Sequence, residues 1–453
     1  MNRPSAMSSV LRQSLVPVFV VCAFTWILFL PVSHNEILYP IFALLGVSAI
    51  GSLVRRDVPI DLLVWSMGLL IAALALYGMT LGANNPDPIF TIAVYIAAPV
   101  MYLLVVAAAT PATLRYFLIA AVIGTLAVSS VLLVFIAGEA GVIPQFVPDW
   151  VVTNLDLKAT FRDGASQARS WGLSSLAALG PIWMGSLVVR RDAFLPHWGL
   201  RLLCAVMALA TAVLSDRAGI VLVIVIAPIV ALLLRHTLFR TVTESAPRPR
   251  RPGLWITVGV AASVTFTLLL QQVLNIGPLT TLVSSIGSFF GVAQVSGEGN
   301  QSIRSDQAWH LMDAWALNPI FGAGFGSNVP GYAYASEIPW SLELQYHLLL
   351  FNVGLVGVMI AIGAVIVGLA YLRKAVVARP DLTPIMVSAS TGAVAMLIAN
   401  ATNPYLVAPG HQWALFLPIA VACVAIRMNP WFDTSDLSNN GGGRVVPGTP
   451  RPE

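Results

Sequence analysis

Long apolar runs alternate with short polar breaks along almost the whole chain. The hydrocarbon core of a bilayer takes roughly 20 apolar residues per helix. That ruler lays twelve runs along the sequence: 13–32, 37–54, 60–81, 89–109, 112–137, 171–189, 198–214, 218–237, 253–274, 348–371, 383–401 and 412–427. Each predicts a helix, the form that satisfies its own backbone hydrogen bonds in lipid. The first run is too long for the core of a signal peptide and lacks a small-residue cleavage site, so it is expected to stay in the mature protein. The predicted fold class is an all-α polytopic membrane protein, one integral domain over 1–453 with about twelve transmembrane helices.

Two long polar segments, 138–170 and 275–347, interrupt the pattern. In the second, Ala308, Leu311, Met312 and Trp315 recur at helical spacing, with Arg304 one turn earlier. They predict a short amphipathic helix from Ser305 to Leu317, stopped by Asn318-Pro319. The GAGFGS run that follows has little side-chain bulk, which suits a tight turn or a close approach by a ligand or another segment. Elsewhere, TESAPRPRRPG over 243–253 reads as an extended cytoplasmic linker with a basic face toward anionic lipid. The 433–453 tail reads as disordered.

Composition agrees with the pattern. Hydrophobic residues make up 57% of the chain and charged residues 10%, against about 25% charged in soluble domains. A net charge of +4 would suggest nucleic acid in a soluble protein. Here the basic residues set topology, and no nucleic-acid partner is expected. Threading the runs with the N-terminus inside leaves only Lys158, Arg162, Arg169, Arg217 and Arg304 outside, of 24 basic residues. That asymmetry predicts a multi-pass protein with both termini in the cytoplasm. Cys22, Cys204 and Cys423 all fall in apolar runs, so neither a disulfide nor a metal is expected from them.

The outer polar groups are the candidates for chemistry. Arg217 sits in SDRAG, a turn between two apolar runs; Asp216 could pair with it, or the arginine could mark a substrate path. Glu343 and His347 are four residues apart, which on one helix puts them on a shared face. Arg162 and Arg169 could contact acidic groups of a substrate or serve as plain surface charges. Trp309, Gly322, Gly324 and Gly326 complete the candidate substrate-binding set. No outer pair of histidines has metal-ligand spacing, so no metal and no cofactor are expected. The glycine run lacks the strand-and-helix context of a dinucleotide site.

Taken in order, SDRAG, Arg304 followed by AW, NPIFGAGFGS and ELQYHLLLFNVGLVG resemble the bacterial O-antigen ligase and polymerase family over about Leu214 to Gly357. The resemblance implies a GT-C-like fold in the bacterial inner (plasma) membrane with an extracytoplasmic active site. It also implies a metal-independent, inverting glycosyl transfer from a polyprenyl-pyrophosphate-linked glycan donor to a glycan acceptor, with a chain-length regulator as partner. Arg217 and Arg304 would take the family's roles against the diphosphate. Ligases resemble H-N-x-x-L-x-x-L-x-x-x-G, with His eleven residues before Gly; here that place holds Glu343, with His347 four residues on. The departure looks more like the polymerase branch. A ligase that hands the glycan to lipid A core or a protein is the alternative, and a lipid-linked glycan transporter or flippase the second. Either Glu343 or His347 could take the acceptor proton.

Overall fold

Side-chain caps fix several helix starts. Asp61 accepts the Leu63 amide at 2.9 Å, and Thr110 forms a capping box with Thr113 ahead of Pro111 at the first helical position. The computed structural model describes residues 6–56, 60–85, 93–162, 165–239, 298–332, 342–401 and 403–428, with isolated positions 265, 268, 269 and 272. The helices are α1 (Ala6–Phe29), α2 (Asn35–Arg56), α3 (Leu62–Leu81), α4 (Ala98–Ala107), α5 (Pro111–Glu139), α6 (Asp149–Leu155) and α7 (Leu176–Ser186). They continue with α8 (Trp198–Leu214), α9 (Ala218–Thr237), α10 (Glu298–Ala316), α11 (Gln345–Ala378), α12 (Thr383–Asn400) and α13 (Trp413–Arg427).

The protein is mostly helical, and helices occupy eleven of the twelve apolar runs. The ninth run, 253–274, lies outside the described residues apart from isolated positions, as do the 243–253 linker and the 433–453 tail. Among the described residues, six helices are long and apolar enough to cross a membrane by length and composition: α2, α3, α5, α9, α11 and α12 with its preceding turn. Val18–Phe29, Val94–Ala107, α8 and α13 are apolar but shorter.

Every residue of α7 is buried, with α8, α9 and α12 packed around it. Trp183 there donates its indole N–H to Thr125 Oγ1 of α5 at 2.8 Å, satisfying both polar groups at depth. The outer helices instead turn large apolar side chains outward; Val54 of α2 and Leu62 of α3 are both 77% exposed. Apolar surface on that scale suits lipid rather than water.

Three local features depart from the sequence expectation. The 138–170 segment contains α6 and a two-stranded antiparallel hairpin, β1 (Lys158–Arg162) with β2 (Ala165–Arg169). Helix α10 starts at Glu298 rather than Ser305, and α11 at Gln345 rather than 348. Finally, α11 is broken inside its apolar stretch, because Gly354 adopts φ 58°, ψ −166°, a conformation essentially confined to glycine.

The break in α11 is filled by the glycine run. The Ala323 and Gly324 amides donate to the Phe351 and Asn352 carbonyls at 2.9 and 2.7 Å, while the Leu355 and Val356 amides donate to the Pro319 and Ile320 carbonyls at 3.0 and 3.1 Å. Backbone groups released by the kink thus find partners, as membrane depth requires. Beyond it, Phe325 wedges onto α3: its amide donates to the Gly78 carbonyl at 2.9 Å, and its ring stacks on Tyr95 at 4.3 Å.

Candidate functional site

Helix α10 seats the site. Gln307, Leu311 and Ala314 form its buried stripe, and Leu311 and Ala314 pack with Leu342, Leu344 and Leu348 at the entry to α11. The Gln307 side-chain oxygen accepts the amides of Glu343 (3.0 Å) and Leu344 (3.4 Å), fixing the bend there. One turn before Gln307, Arg304 donates from Nε to Glu343 Oε2 at 2.9 Å and from Nη2 to Asn403 Oδ1 at 3.5 Å. Because α11 begins at Gln345, Glu343 lies in a non-helical bend. The expected one-turn relation between Glu343 and His347 is therefore replaced by a carboxylate turned to Arg304.

The SDRAG turn closes with Asp216 at φ 52° and the Arg217 amide donating to the Ala212 carbonyl at 3.1 Å. Asp216 accepts Gln167 Nε2 of β2 at 3.1 Å, which ties the turn to the hairpin. Arg217 is exposed at the N-cap of α9. In the turn between α12 and α13, burial raises the Tyr405 phenol, and the positive charges of Arg217 and Arg304 offset only part of that rise.

Beneath Tyr405 lies His411, 1% exposed. Its Nδ1 donates to the Tyr405 carbonyl at 2.9 Å, and its Nε2 faces Ser174 Oγ at 2.8 Å. Burial pushes this imidazole down to about 4, against a smaller upward pull from the bond to Tyr405. A folded-state value below the ordinary 6.5 means that the unfolded chain takes the proton first. The stability held by neutral His411 is fully present above about pH 6.5 and is lost as pH falls toward 4, by an amount approaching ~3 kcal/mol. The melting temperature is expected to drop between neutral pH and about pH 4.5, and much less so in His411→Gln; an equally steep fall in the variant would refute the assignment.

The remaining candidates are dispersed. Arg169 pairs with Asp156 at 3.1 Å and lies over the Trp171 ring at 5.2 Å, while Lys158 takes the other Asp156 oxygen at 2.7 Å. Arg162 ends β1, and its side chain lies outside the described residues. Trp309 is 69% exposed, off the buried stripe of α10. Gly322, Gly324 and Gly326 all have positive φ, and a Cβ on the first two would strike backbone, at Asn352 and Gly354 for one and Gly82 for the other. Their close approach is to other segments of the chain. His347, partly exposed in the first turn of α11, stands beyond the Arg304–Glu343 pair in sequence.

Sequence reasoning missed Asn403 and Tyr405. The signal was NPYLVAPGHQW, a polar turn with Asn, Tyr and His between two apolar runs. Among the described residues no group of three or more His, Cys, Asp or Glu is placed to hold a metal ion. Compared with known proteins, the chain matches no family model and no curated protein.

Proposed function

We propose that this chain is a membrane glycosyltransferase that joins polyprenyl-pyrophosphate-linked oligosaccharide repeat units into a surface polysaccharide, on the outer side of a bacterial inner membrane. In this reading all twelve apolar runs span the bilayer in a GT-C-like arrangement, with both termini cytoplasmic. The observation that supports it most is the Arg304 guanidinium held between Glu343 at 2.9 Å and Asn403 at 3.5 Å, because a departing diphosphate needs a fixed cation beside it; Arg217 joins it on the strength of the family resemblance.

The acceptor hydroxyl attacks the anomeric carbon opposite the diphosphate. The carbon–oxygen bond to the diphosphate breaks, its electron pair leaves with the lipid diphosphate, and the configuration inverts. Charge grows on the leaving group during this step, so guanidiniums held beside it favour the transition state over the ground state. Arginine suits the task because it offers a fork of donors and keeps its proton. Glu343 holds Arg304 at 2.9 Å, and an incoming diphosphate competes with that carboxylate for the same guanidinium. Glu343 is then a positioning residue, and His347 takes the acceptor proton.

Purified protein given only lipid-linked repeat units is expected to produce a ladder of longer lipid-linked chains, and His347→Ala to slow it by about 10² to 10⁴. Activity only after a distinct acceptor is added would replace polymerisation by ligation. No glycosidic bond formation in detergent would sink the enzyme reading and favour a transporter of the same lipid.

A further inference from the structure

Away from the Arg304 site, α1, α2, α4, α5 and α13 line an open apolar groove of about 310 Å³. Phe24, Leu45, Ala49, Phe117 and Phe416 are among its walls. A second cavity of about 80 Å³ shares Ser52, Ala108, Ala109 and Thr110 with the first, so the two adjoin. Along α13, Trp413, Phe416, Leu417 and Ala420 line the larger one, and Val424 and Arg427 the smaller. Those positions follow one helix face from end to end, a path of about 21 Å at 1.5 Å per residue. It is apolar throughout until its last member, which is a cation.

That cation is built in. Arg427 donates from Nη1 to the Ala109 carbonyl at 3.0 Å and from Nη2 to the Ala107 carbonyl. Two of its five N–H groups are thereby spent on holding it, leaving donors for a ligand. The positive end of α5, starting at Pro111, opens onto the same small cavity. Arg55 stands one turn beyond Ser52 on α2. Basic residues at this end fit the cytoplasmic side of the membrane.

We propose that this groove binds one anionic glycerophospholipid of the cytoplasmic leaflet, an acyl chain lying along α13 and the phosphate held by Arg427. The path exceeds the ~15 Å of a single hydrocarbon leaflet, enough for one whole acyl chain. A zwitterionic lipid would bring its own cation to an already cationic mouth, so the groove selects for net negative charge. This inference stands apart from the glycosyltransferase reading and can fail without it.

The test is native mass spectrometry of the detergent-purified full chain with equal phosphatidylglycerol and phosphatidylcholine of the same palmitoyl-oleoyl chains. Wild type is expected to retain one phosphatidylglycerol by about fivefold or more over phosphatidylcholine. Arg427→Gln should bring that ratio near one, and Ala49→Phe, which fills the larger cavity and leaves the Arg427 bonds alone, should lose both lipids. A wild type without preference would overturn the proposal. So would Ala49→Phe retaining phosphatidylglycerol as well as wild type does, or displacement of phosphatidylglycerol by equimolar polyprenyl phosphate.

Discussion

Replacing Arg304 by Ala is expected to cut glycan transfer by about 10² or more, with Arg217→Ala similar, the scale seen when one preorganised oxyanion donor is lost. Stability should scarcely register the change. Arg304 and Glu343 keep 37% and 24% of their side-chain surface exposed, and ion pairs that wet contribute only about 0–1 kcal/mol. The two readouts therefore separate: melting temperature and protein level near wild type, product ladder nearly gone. Arg304→Lys should recover little, since a single ammonium cannot grip a diphosphate and face Asn403 with the same fork. Near-normal turnover in Arg304→Ala protein present at normal level would count decisively against the assignment.

The second large effect is at Gly354. A valine there must hold φ 58°, ψ −166°, at a cost of about 1–3 kcal/mol for backbone strain alone. Its Cβ would also meet the Ile320 carbonyl, and the Gly322 nitrogen at 2.6 Å. Relief requires the 319–324 segment to leave the break, breaking four backbone hydrogen bonds at about 1 kcal/mol each. Gly354→Val should lower the melting temperature sharply, expose the segment to protease and abolish transfer. Gly141→Ala is the control: φ is positive there too, at 71°, but an added Cβ meets nothing within 4 Å, so it carries conformational strain without collision. If the two variants melt alike, packing at the break is not what holds the segment in place.

How much was legible followed from range. Apolar periodicity is local, so the runs at 198–214 and 218–237 coincide with α8 and α9 residue for residue. Lys158 to Arg169 was not legible as a hairpin, since it is short, polar and carries little alternation of buried positions. The glycine run announced a close approach, but its partners, Gly78 on α3, Gly82 just past its end and Asn352 on α11, lie far off in sequence. The arginines stood out as isolated outer charges. The Asn403 partner of Arg304 did not, because only the fold brings residue 403 to residue 304. The shared helical face of Glu343 and His347 was misread by extending the helical pattern two residues too far, where Gln307 holds a bend instead.

The interlock of 319–325 with both α3 and α11 carries a consequence for biosynthesis. Residues 78 and 82 leave the ribosome long before 325, and 325 before 356, yet all must meet for the segment to seat. Insertion of the early helices can proceed one after another as the chain emerges. The segment can dock only once α11 has been laid down beside α3, so the region around Arg304 and Glu343 is among the last parts of the nascent protein to mature. Ribosome-stalled chains that end before residue 356 would carry most of the apolar helices but not the seated 319–325 segment.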